Sequence, residues 1–203
     1  MNRIILASES PRRKEIMNQM GIQYETMPAN ITEEVVGDTP SDMVKSLACQ
    51  KARAVAERTQ SNHENQIIIG ADTLVFHKGK ALGKPRDREH AIEMLEAISD
   101  DTHEVYTGVC IIIRKNSPDH SNTDAREITF SVSTEVVVYP LTKEQIVDYV
   151  DTKEPLDKAG AYAIQGGFGI YIKEIHGDYY NVVGFPIARI FKKLLEIGID
   201  IKK

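Results

Sequence analysis

The chain has 203 residues, which suffices for one sizeable hydrophobic core but is short for two independent domains. Hydrophobic residues make up 41% of it and charged residues 27%, a balance that excludes an intrinsically disordered protein. The formal net charge of −5 argues against a protein that coats polymeric nucleic acid or an anionic membrane, so any anion site must be local. We expect one domain spanning residues 1–203, with two compact halves around a central cleft.

The N-terminus and the cysteines indicate a cytoplasmic protein. Residues 1–3 lead directly into a short apolar strand without the hydrophobic region of a signal peptide, and no apolar run approaches the length of a membrane span. Cys49 and Cys110 lie far apart in the sequence, fit no metal-binding spacing and have apolar neighbours. We expect both to be reduced thiols in the core.

The first third of the chain predicts alternating strands and helices. A strand over residues 3–7 is followed by a helix that has Ser10 as its N-cap and ends near Met20. A second strand over residues 23–28 leads through an acidic loop to Ser41, which we expect to cap a long helix.

The middle of the chain begins with its most apolar segment. Residues 67–76 form a run typical of a strand buried on both faces, and this run carries one carboxylate, Asp72. Residues 77–80 predict a hairpin turn, and Asp87 predicts the cap of a helix that ends near Ser99.

The last part of the chain predicts further strands and helices. Strands over residues 105–114 and 127–139 flank an exposed loop over residues 115–125, and a capping box of Thr142 and Gln145 starts a helix. The remaining elements are a strand over residues 169–175 and a helix over residues 186–197. Strands interleaved with helices predict an α/β fold around a mixed, twisted sheet with flanking helices.

The strongest chemical signal is the segment SESPRRK at residues 8–14. The cations Arg12, Arg13 and Lys14 stand in the first turn of a helix, where the helix dipole is already positive, which costs stability unless an anion binds. Together with serine hydroxyls and backbone N–H groups they form a cradle suited to phosphate. From this segment alone, a solvated basic surface explains the pattern equally well.

A charged residue inside an apolar strand is the second signal. An unpaired charge there is costly, so Asp72 should face a cation, a metal ion or a polar cleft, unless it caps a turn before Thr73. Lys51 in a helix and Lys84 in a turn could each reach a polyphosphate, although single lysines are usually just solvated.

Two loop carboxylates offer a metal site. Glu33 and Glu34 could hold a divalent ion alongside Asp72, because carboxylate oxygens are ligands that magnesium and manganese accept. Solvent exposure is the default expectation for Glu34. The motifs GxxxxGK[ST], HExxH and GxSxG are absent and the histidines are scattered, which argues against a P-loop NTPase and against a zinc site.

Five sequence blocks carry a family resemblance. They are LASESPRR at residues 6–13, GADT at 70–73, LGKP at 82–85, AGAYAIQG at 159–166 and YNVVG at 180–184. In this order, and over nearly the whole chain, they closely resemble the Maf family. The resemblance implies a fold similar to the inosine triphosphatase group. It also implies metal-assisted hydrolysis of a nucleoside triphosphate to a nucleoside monophosphate and pyrophosphate.

The resemblance also implies roles for individual residues. Asp72 matches the proton acceptor of the family; whether it is the base, a metal ligand together with Glu33, or both, stays open. Positions associated with substrate choice are matched by Arg12, Thr73 and Gln165. The polar residues that resemble the lining of the family's cleft are Ser8, Arg13, Glu33, Lys51 and Lys84.

The block around Gln165 resembles the branch of the family that acts on dTTP and UTP. A glutamine amide offers both a donor and an acceptor, which suits the O4 and N3–H edge of uracil or thymine. Modified pyrimidine nucleotides are further candidate substrates. Phe185 stands where the family leads us to expect leucine, an exchange of one apolar residue for another.

Other function classes stay open. A nucleotide-binding regulator of septum formation would bind nucleotide without consuming it, and would tolerate loss of Asp72 better than loss of Arg13. A phosphoryl transferase would need an acceptor site, and the sequence shows none. The strand over residues 127–139 and the final helix could serve a homodimer, as in members of the family.

Overall fold

The computed structural model describes residues 2–59, 65–115 and 125–202. Within these ranges the strands are β1 (Asn2–Leu6), β2 (Glu25–Thr26), β3 (Asn65–His77), β4 (Lys80–Leu82), β5 (Thr102–Arg114), β6 (Ala125–Val138) and β7 (Ile172–His176). The α-helices are α1 (Pro11–Gln19), α2 (Pro40–Arg58), α3 (Arg88–Ile98), α4 (Lys143–Asp151), α5 (Tyr179–Val183) and α6 (Ile187–Leu195). Short 3-10 turns cover Glu154–Asp157, Ala159–Ala161 and Gly167–Tyr171.

The strands form a seven-stranded mixed sheet. Its order is β2-β1-β3-β5-β6-β7, with β4 paired to β3. β1 runs parallel to β2 and β3, whereas β4 is antiparallel to β3 and β7 is antiparallel to β6. The predicted α/β fold with a mixed sheet and flanking helices is therefore confirmed.

The chain divides into two compact units. The first comprises Met1–Asp72, Thr107–Ser131 and Gly184–Lys203, and the second comprises Thr73–Tyr106 and Val132–Val183. Each of the strands β3, β5 and β6 contributes residues to both units.

The core of the first unit lies between α2 and the parallel strands. The side chains of Ile5 on β1 and Ile68 on β3 are fully buried. They belong to one cluster with the apolar side chains of α2 that face the sheet, which include Ala48, Ala52 and Val55. This burial orients α2, because each large aliphatic side chain withdrawn from water contributes about 1.5–3 kcal/mol.

The core of the second unit surrounds Phe168. Its ring centroid lies 5.1 Å from that of Tyr149 and 4.9 Å from that of Tyr162. Leu95 and Ile98 of α3 belong to the same cluster. The segment that carries Gln165 therefore lies beside a packed aromatic core.

The long helix α2 begins earlier than predicted. Thr39, not Ser41, is the N-cap: its Oγ1 accepts a hydrogen bond from the backbone N–H of Asp42 at 3.2 Å. Pro40 occupies the first helical position, which suits its fixed φ. Ser41 lies inside the first turn and its hydroxyl meets that of Ser131 at 2.8 Å.

The strand predicted over residues 169–175 is shorter. Gly167–Tyr171 forms a 3-10 turn, and β7 begins at Ile172. A Cβ on Gly169 would lie 2.8 Å from the carbonyl oxygen of Ile164, so the backbone folds back on itself here, where an extended strand would not. The second predicted strand also shrinks, to Glu25–Thr26.

The exposed loop predicted over residues 115–125 falls outside the described residues at residues 116–124. None of the helices in the described ranges combines the length and the apolar character needed to cross a membrane.

Candidate active site

The candidate site in the first unit begins where β1 ends beside the middle of the parallel strand β3. β1 ends at Leu6, and the N–H of Ala7 donates to the carbonyl oxygen of Ile69 on β3 at 2.8 Å. β3 continues beyond this point to Asp72, while the chain after β1 turns through Ser8 into α1. Ligand sites of α/β sheets form at such strand ends.

Two glycines let α2 approach the sheet closely. A Cβ on Gly70 of β3 would lie 2.5 Å from the carbonyl oxygen of Ala48, and a Cβ on Gly108 of β5 would overlap the carbonyl group of Val44. Both carbonyl groups belong to α2. Glycine at these positions therefore sets the distance between α2 and the strands, and with it the position of Lys51. Neither glycine was among the predicted site residues.

Lys51 brings two carboxylates together. Its Nζ forms an ion pair with Oδ1 of Asp72 and lies 3.1 Å from Oε1 of Glu33. The side chains of Lys51 and Asp72 are 14% and 13% exposed, so solvent screens this pair only weakly. The partner expected for the charge on β3 is thus a cation.

The loop that carries Glu33 is held against α2 by Gln50. The Gln50 side-chain oxygen accepts the N–H of Glu34 at 3.0 Å, and its amide nitrogen donates to the Glu34 carbonyl at 2.7 Å. This two-way contact fixes the residue next to Glu33 and so places Glu33 beside Lys51. Glu34 itself is exposed, as expected. Gln50 was not predicted, because a single glutamine in a helix carries no recognisable signal.

Ser8 and Arg13 form a buried pair at the start of α1. The Oγ of Ser8 accepts hydrogen bonds from Nη1 of Arg13 at 3.0 Å and from the N–H of Ser10 at 3.2 Å. A hydroxyl has two acceptor positions and one donor, so the O–H of Ser8 remains to donate to an anion. The Nε of Arg13 donates to the carbonyl oxygen of Gly184 at 2.9 Å.

Arg13 is not part of a solvated basic surface. It is 8% exposed, and burial lowers the pKa of its guanidinium, while the charges of Asp72 and Glu33 act in the opposite direction. Its bonds to Ser8 and Gly184 brace the turn after β1. Gly184 lies in the YNVVG block, but its carbonyl group was not among the predicted site groups.

The first turn of α1 presents donors without acidic residues. The Ser10 side chain makes no capping hydrogen bond, and Pro11 stands at the first helical position. The backbone N–H groups of this turn are therefore not occupied by their own cap. Arg12 is partly exposed beside them. Such a helix start is suited to a bound anion.

Three predicted residues belong to the second unit. Thr73 follows Asp72 on β3 and is half-buried. Lys84 is exposed in the turn after β4, and Gln165 is exposed in the turn before Gly167–Tyr171. The structure thus brings together Ser8 with Arg13, and Lys51 with both acidic residues, within the first unit.

The segment around Gln165 is held from both sides. The hydroxyl of Tyr149 accepts the N–H of Ala163 at 3.2 Å and donates to Oε1 of Glu154 at 2.8 Å. Oε2 of Glu154 accepts the N–H of Gly167 at 3.1 Å. Tyr149 and Glu154 therefore fix the backbone before and after Gln165, and neither was predicted.

Asp72 and Glu33 offer the oxygen donors that a hard divalent cation accepts. The cation that their two carboxylates share in this structure is the ammonium group of Lys51. Magnesium is usually bound in proteins through one or two carboxylates together with water and substrate phosphates.

Comparisons with known proteins show which family the chain belongs to. The family model described as Maf-like protein matches residues 3–197. A protein of Lachnoclostridium phytofermentans named dTTP/UTP pyrophosphatase is 46% identical over 204 residues, covering 100% of this chain and 99% of that protein. A protein of Bacillus cereus strain G9842 with the same name is 47% identical over 203 residues, covering 99% of this chain and 98% of that protein.

Among solved structures, the Staphylococcus aureus Ham1 protein aligns with 98% of this chain and 100% of its own, with a TM-score of 0.41 and 16% identity. These values are too low to establish a shared fold, so the likeness to the inosine triphosphatase group stays a prediction. The sequence match stands independently of it: one family model covers nearly the whole chain and the relatives align over their full length. The chain belongs to the Maf family.

Proposed function

We propose that this chain is a nucleoside triphosphate pyrophosphatase. Its substrates are dTTP, UTP and modified pyrimidine nucleoside triphosphates, which it hydrolyses to a nucleoside monophosphate and pyrophosphate. The observation that carries the proposal is the cluster of Asp72 on β3, Lys51 on α2 and Glu33 on the loop before α2. The full-length relatives named dTTP/UTP pyrophosphatase support the choice of substrate.

The turn after β1 binds the phosphates in this proposal. The O–H of Ser8 and the first N–H groups of α1 donate to phosphate oxygens, and Arg12 adds charge from a partly exposed position. Arg13 keeps the turn in place through Ser8 and adds a buried positive charge. These donors are positioned before the substrate arrives, which is the condition for strong electrostatic stabilisation.

Asp72 accepts the proton of the attacking water. Water attacks the α-phosphorus, the bond from that phosphorus to the oxygen bridging it to the β-phosphorus breaks, and pyrophosphate leaves. Lys51 fixes the orientation of the Asp72 carboxylate. The chemistry requires positioning and charge stabilisation and no protein nucleophile.

A divalent cation completes the proposed site. Asp72 and Glu33 would hold the magnesium or manganese ion. When bound, this ion would neutralise negative charge on the phosphates. Asp72 thus has two roles in this proposal, as the base and as a metal ligand.

The residues that match the family's positions of substrate choice select the nucleotide in this proposal. Gln165 recognises the O4 and N3–H edge of the pyrimidine, because its amide both donates and accepts. Thr73 and Arg12 contribute to substrate choice, and Lys84 binds phosphate.

The test is to identify the products and the bond that breaks. With UTP or dTTP, magnesium and ¹⁸O-labelled water, we expect monophosphate and pyrophosphate, with the label in the monophosphate. Release of orthophosphate and diphosphate contradicts the proposal, as does label in the pyrophosphate, because the first locates cleavage at the wrong bond and the second locates attack at the β-phosphorus.

Asp72→Asn separates the enzyme from a nucleotide-binding regulator. We expect turnover to fall about 10²–10⁴-fold with nucleotide binding retained, since a general base contributes on that scale. Asp148→Asn, a change of an exposed carboxylate on α4, should leave both unchanged. A protein that binds nucleotide without turnover, and for which loss of Arg13 matters more than loss of Asp72, is instead a regulator.

Two further expectations belong to the proposal. We propose a cytoplasmic location and a homodimer, with no polymeric nucleic acid or membrane as partner. Sedimentation velocity over a range of protein concentrations tests the homodimer, which a monomer at all concentrations contradicts.

A further inference from the structure

We propose that Cys49, Cys110 and Glu127 form a second metal site, in the first unit, for a thiophilic divalent cation of the zinc class. These residues come from α2, β5 and β6. The spacing of the cysteines in the sequence does not indicate a metal site, because the ligands come together only in the fold. The site shares no residue with the proposed magnesium or manganese position at Asp72 and Glu33.

The ligand atoms lie close enough together to approach a tetrahedral metal ion. One ligand atom from each residue, two sulfurs and a carboxylate oxygen, lies within 4.8 Å of the others. Sγ of Cys49 is 3.7 Å from Oε1 of Glu127. Zinc–sulfur and zinc–oxygen bonds of about 2.3 and 2.0 Å at a tetrahedral angle place sulfur and oxygen about 3.5 Å apart. The ligands therefore need only small shifts to enclose an ion.

The charges around the cluster match a divalent ion. Arg53 binds Glu127 with two hydrogen bonds, from Nε at 3.0 Å and from Nη2 at 2.8 Å. Two thiolates, one carboxylate, one guanidinium and one divalent cation together carry no net charge. The buried thiolates are therefore balanced by the ion, and the ion pair of Arg53 and Glu127 lies at the exposed side of the site.

Metal binding changes the protonation of the two thiols. A cysteine binds a metal ion as its thiolate, so the ion replaces the protons of Cys49 and Cys110. Binding should release protons to solvent, as at other thiolate sites.

The burial of the ligands gives the ion a direction of entry, and the sulfur ligands give the site a preference among metals. Cys110 is fully buried and Cys49 is 8% exposed, whereas the Glu127 side chain is 35% exposed. An ion therefore reaches the sulfurs past Glu127. Magnesium prefers an all-oxygen shell and competes poorly for two sulfur ligands, so the catalytic cation does not occupy this position.

Cobalt(II) is the probe that tests the proposal. The reduced wild-type protein, titrated with cobalt(II) in magnesium buffer, should develop a thiolate-to-cobalt charge-transfer band in the near ultraviolet at one ion per chain, and zinc should displace it. Cys49→Ser and Cys110→Ala should each abolish the band. Glu127→Gln should keep a weakened band and lower the affinity at least about tenfold.

Matched controls separate this site from the catalytic one and from misfolding. Asp72→Asn should retain the full band, because Asp72 is not a ligand of this site. Far-ultraviolet circular dichroism checks that the cysteine variants fold, and if one does not, Glu127→Gln still decides the question. Absence of the band in the reduced wild type overturns the proposal. A band that survives Cys49→Ser in a folded protein, or one lost in Asp72→Asn, also overturns it.

Discussion

At the scale of single residues, the candidate site depends on Lys51. Its ammonium group joins a carboxylate on a strand to a carboxylate on a loop, at a position that is mostly withdrawn from solvent. Charge pairs in such places matter more than surface pairs, because removing one partner leaves the other charge poorly solvated. Lys51 therefore orients Asp72 and also reduces the repulsion between the carboxylates of Asp72 and Glu33.

Lys51→Met should therefore harm both activity and stability. We expect the turnover number to fall at least about 10²-fold, as when a preorganised donor is lost, and the free energy of unfolding to fall by about 1–3 kcal/mol. Turnover with UTP and urea unfolding measure the two effects. Lys45→Met removes a solvent-exposed pair with Asp42 on the same helix and should change the unfolding free energy by less than about 1 kcal/mol. Equal effects of the two changes would contradict this role of Lys51.

His103 should give the protein a measurable loss of stability on acidification. Burial, with a smaller contribution from His77, lowers the pKa of His103 to about 4. Its Nε2 meets the Tyr162 hydroxyl at 2.8 Å, and within the described residues its Nδ1 has no hydrogen-bond partner. Protonation would therefore place a second N–H and a charge in a buried position without an acceptor.

The sign follows from proton binding. Between pH 6.5, the ordinary value for histidine, and about pH 4 the unfolded chain binds a proton that the folded chain does not, so stability falls as the pH falls. The loss is on the order of 3 kcal/mol and levels off below pH 4. Urea unfolding of wild type and His103→Gln at several pH values isolates it, because other groups cancel in the difference. A difference that does not change with pH would refute it.

Residues that carry an obvious anomaly could be predicted from the sequence, and residues that support them could not. Asp72 stood out because it is a charge in an apolar strand, and the segment 8–14 because its cations oppose the helix dipole. Gln50 and Gly108 have no such signature, since their roles arise from contacts that exist only after α2 packs on the sheet. The convergence of Cys49 and Cys110 is likewise a product of the fold.

At the scale of elements, the seating of α2 controls the site. The helix carries both Lys51 and Gln50. It packs closely on the strands because Gly70 and Gly108 have no side chains there. A methyl group at either position would push α2 away from the strands, and the apolar side chains of α2 would lose part of their burial against the sheet.

Gly108→Ala should therefore displace α2. We expect a loss of about 2–4 kcal/mol in the free energy of unfolding, and a loss of turnover because Lys51 moves with the helix. Gly83→Ala is the control for stability, since a Cβ there meets nothing within 4 Å, and it should change the free energy of unfolding by less than about 1 kcal/mol. Urea unfolding of both variants decides, and equal stabilities would show that α2 can yield without cost.

The hydrogen bonds of Tyr149 and Glu154 that hold the segment around Gln165 offer a second test at this scale. Glu154→Gln weakens the hydrogen bonds that its carboxylate accepts from Tyr149 and from the N–H of Gly167. If Gln165 reads the pyrimidine, we expect KM for UTP to rise about threefold to tenfold with kcat nearly unchanged. An equal rise in KM in a Gln165→Ala background would assign the effect to something other than Gln165.

Element boundaries were predictable where a local contact sets them. Asp87 and the box of Thr142 with Gln145 cap their helices as the sequence indicates, because each cap is a short-range hydrogen bond. The start of α2 was misassigned because Thr39 and Ser41 are both good caps, and the proline between them favours the earlier one. The start of β7 depends on how Gly169 packs against Ile164, which no local pattern specifies.

At the scale of the whole molecule, connectivity bears on the prediction of a single domain. The strands β3, β5 and β6 each pass from one compact unit into the other, so neither unit is a continuous stretch of chain. A unit that borrows half-strands in this way lacks the independent boundaries that separate ordinary domains. We therefore expect the two units to unfold together.

Core truncations in each unit test this expectation. Ile68→Val in the first unit should cost about 0.5–1.5 kcal/mol and Leu95→Ala in the second about 2–5 kcal/mol, because both side chains are fully buried. Leu195→Ala, at a side chain 44% exposed, is the control and should cost much less. In differential scanning calorimetry each core variant should lower the midpoint of one common transition, with equal calorimetric and van't Hoff enthalpies. Two transitions, each moved by the truncation in its own unit alone, would show two domains, because a single cooperative unit cannot lose stability in one part without losing it throughout.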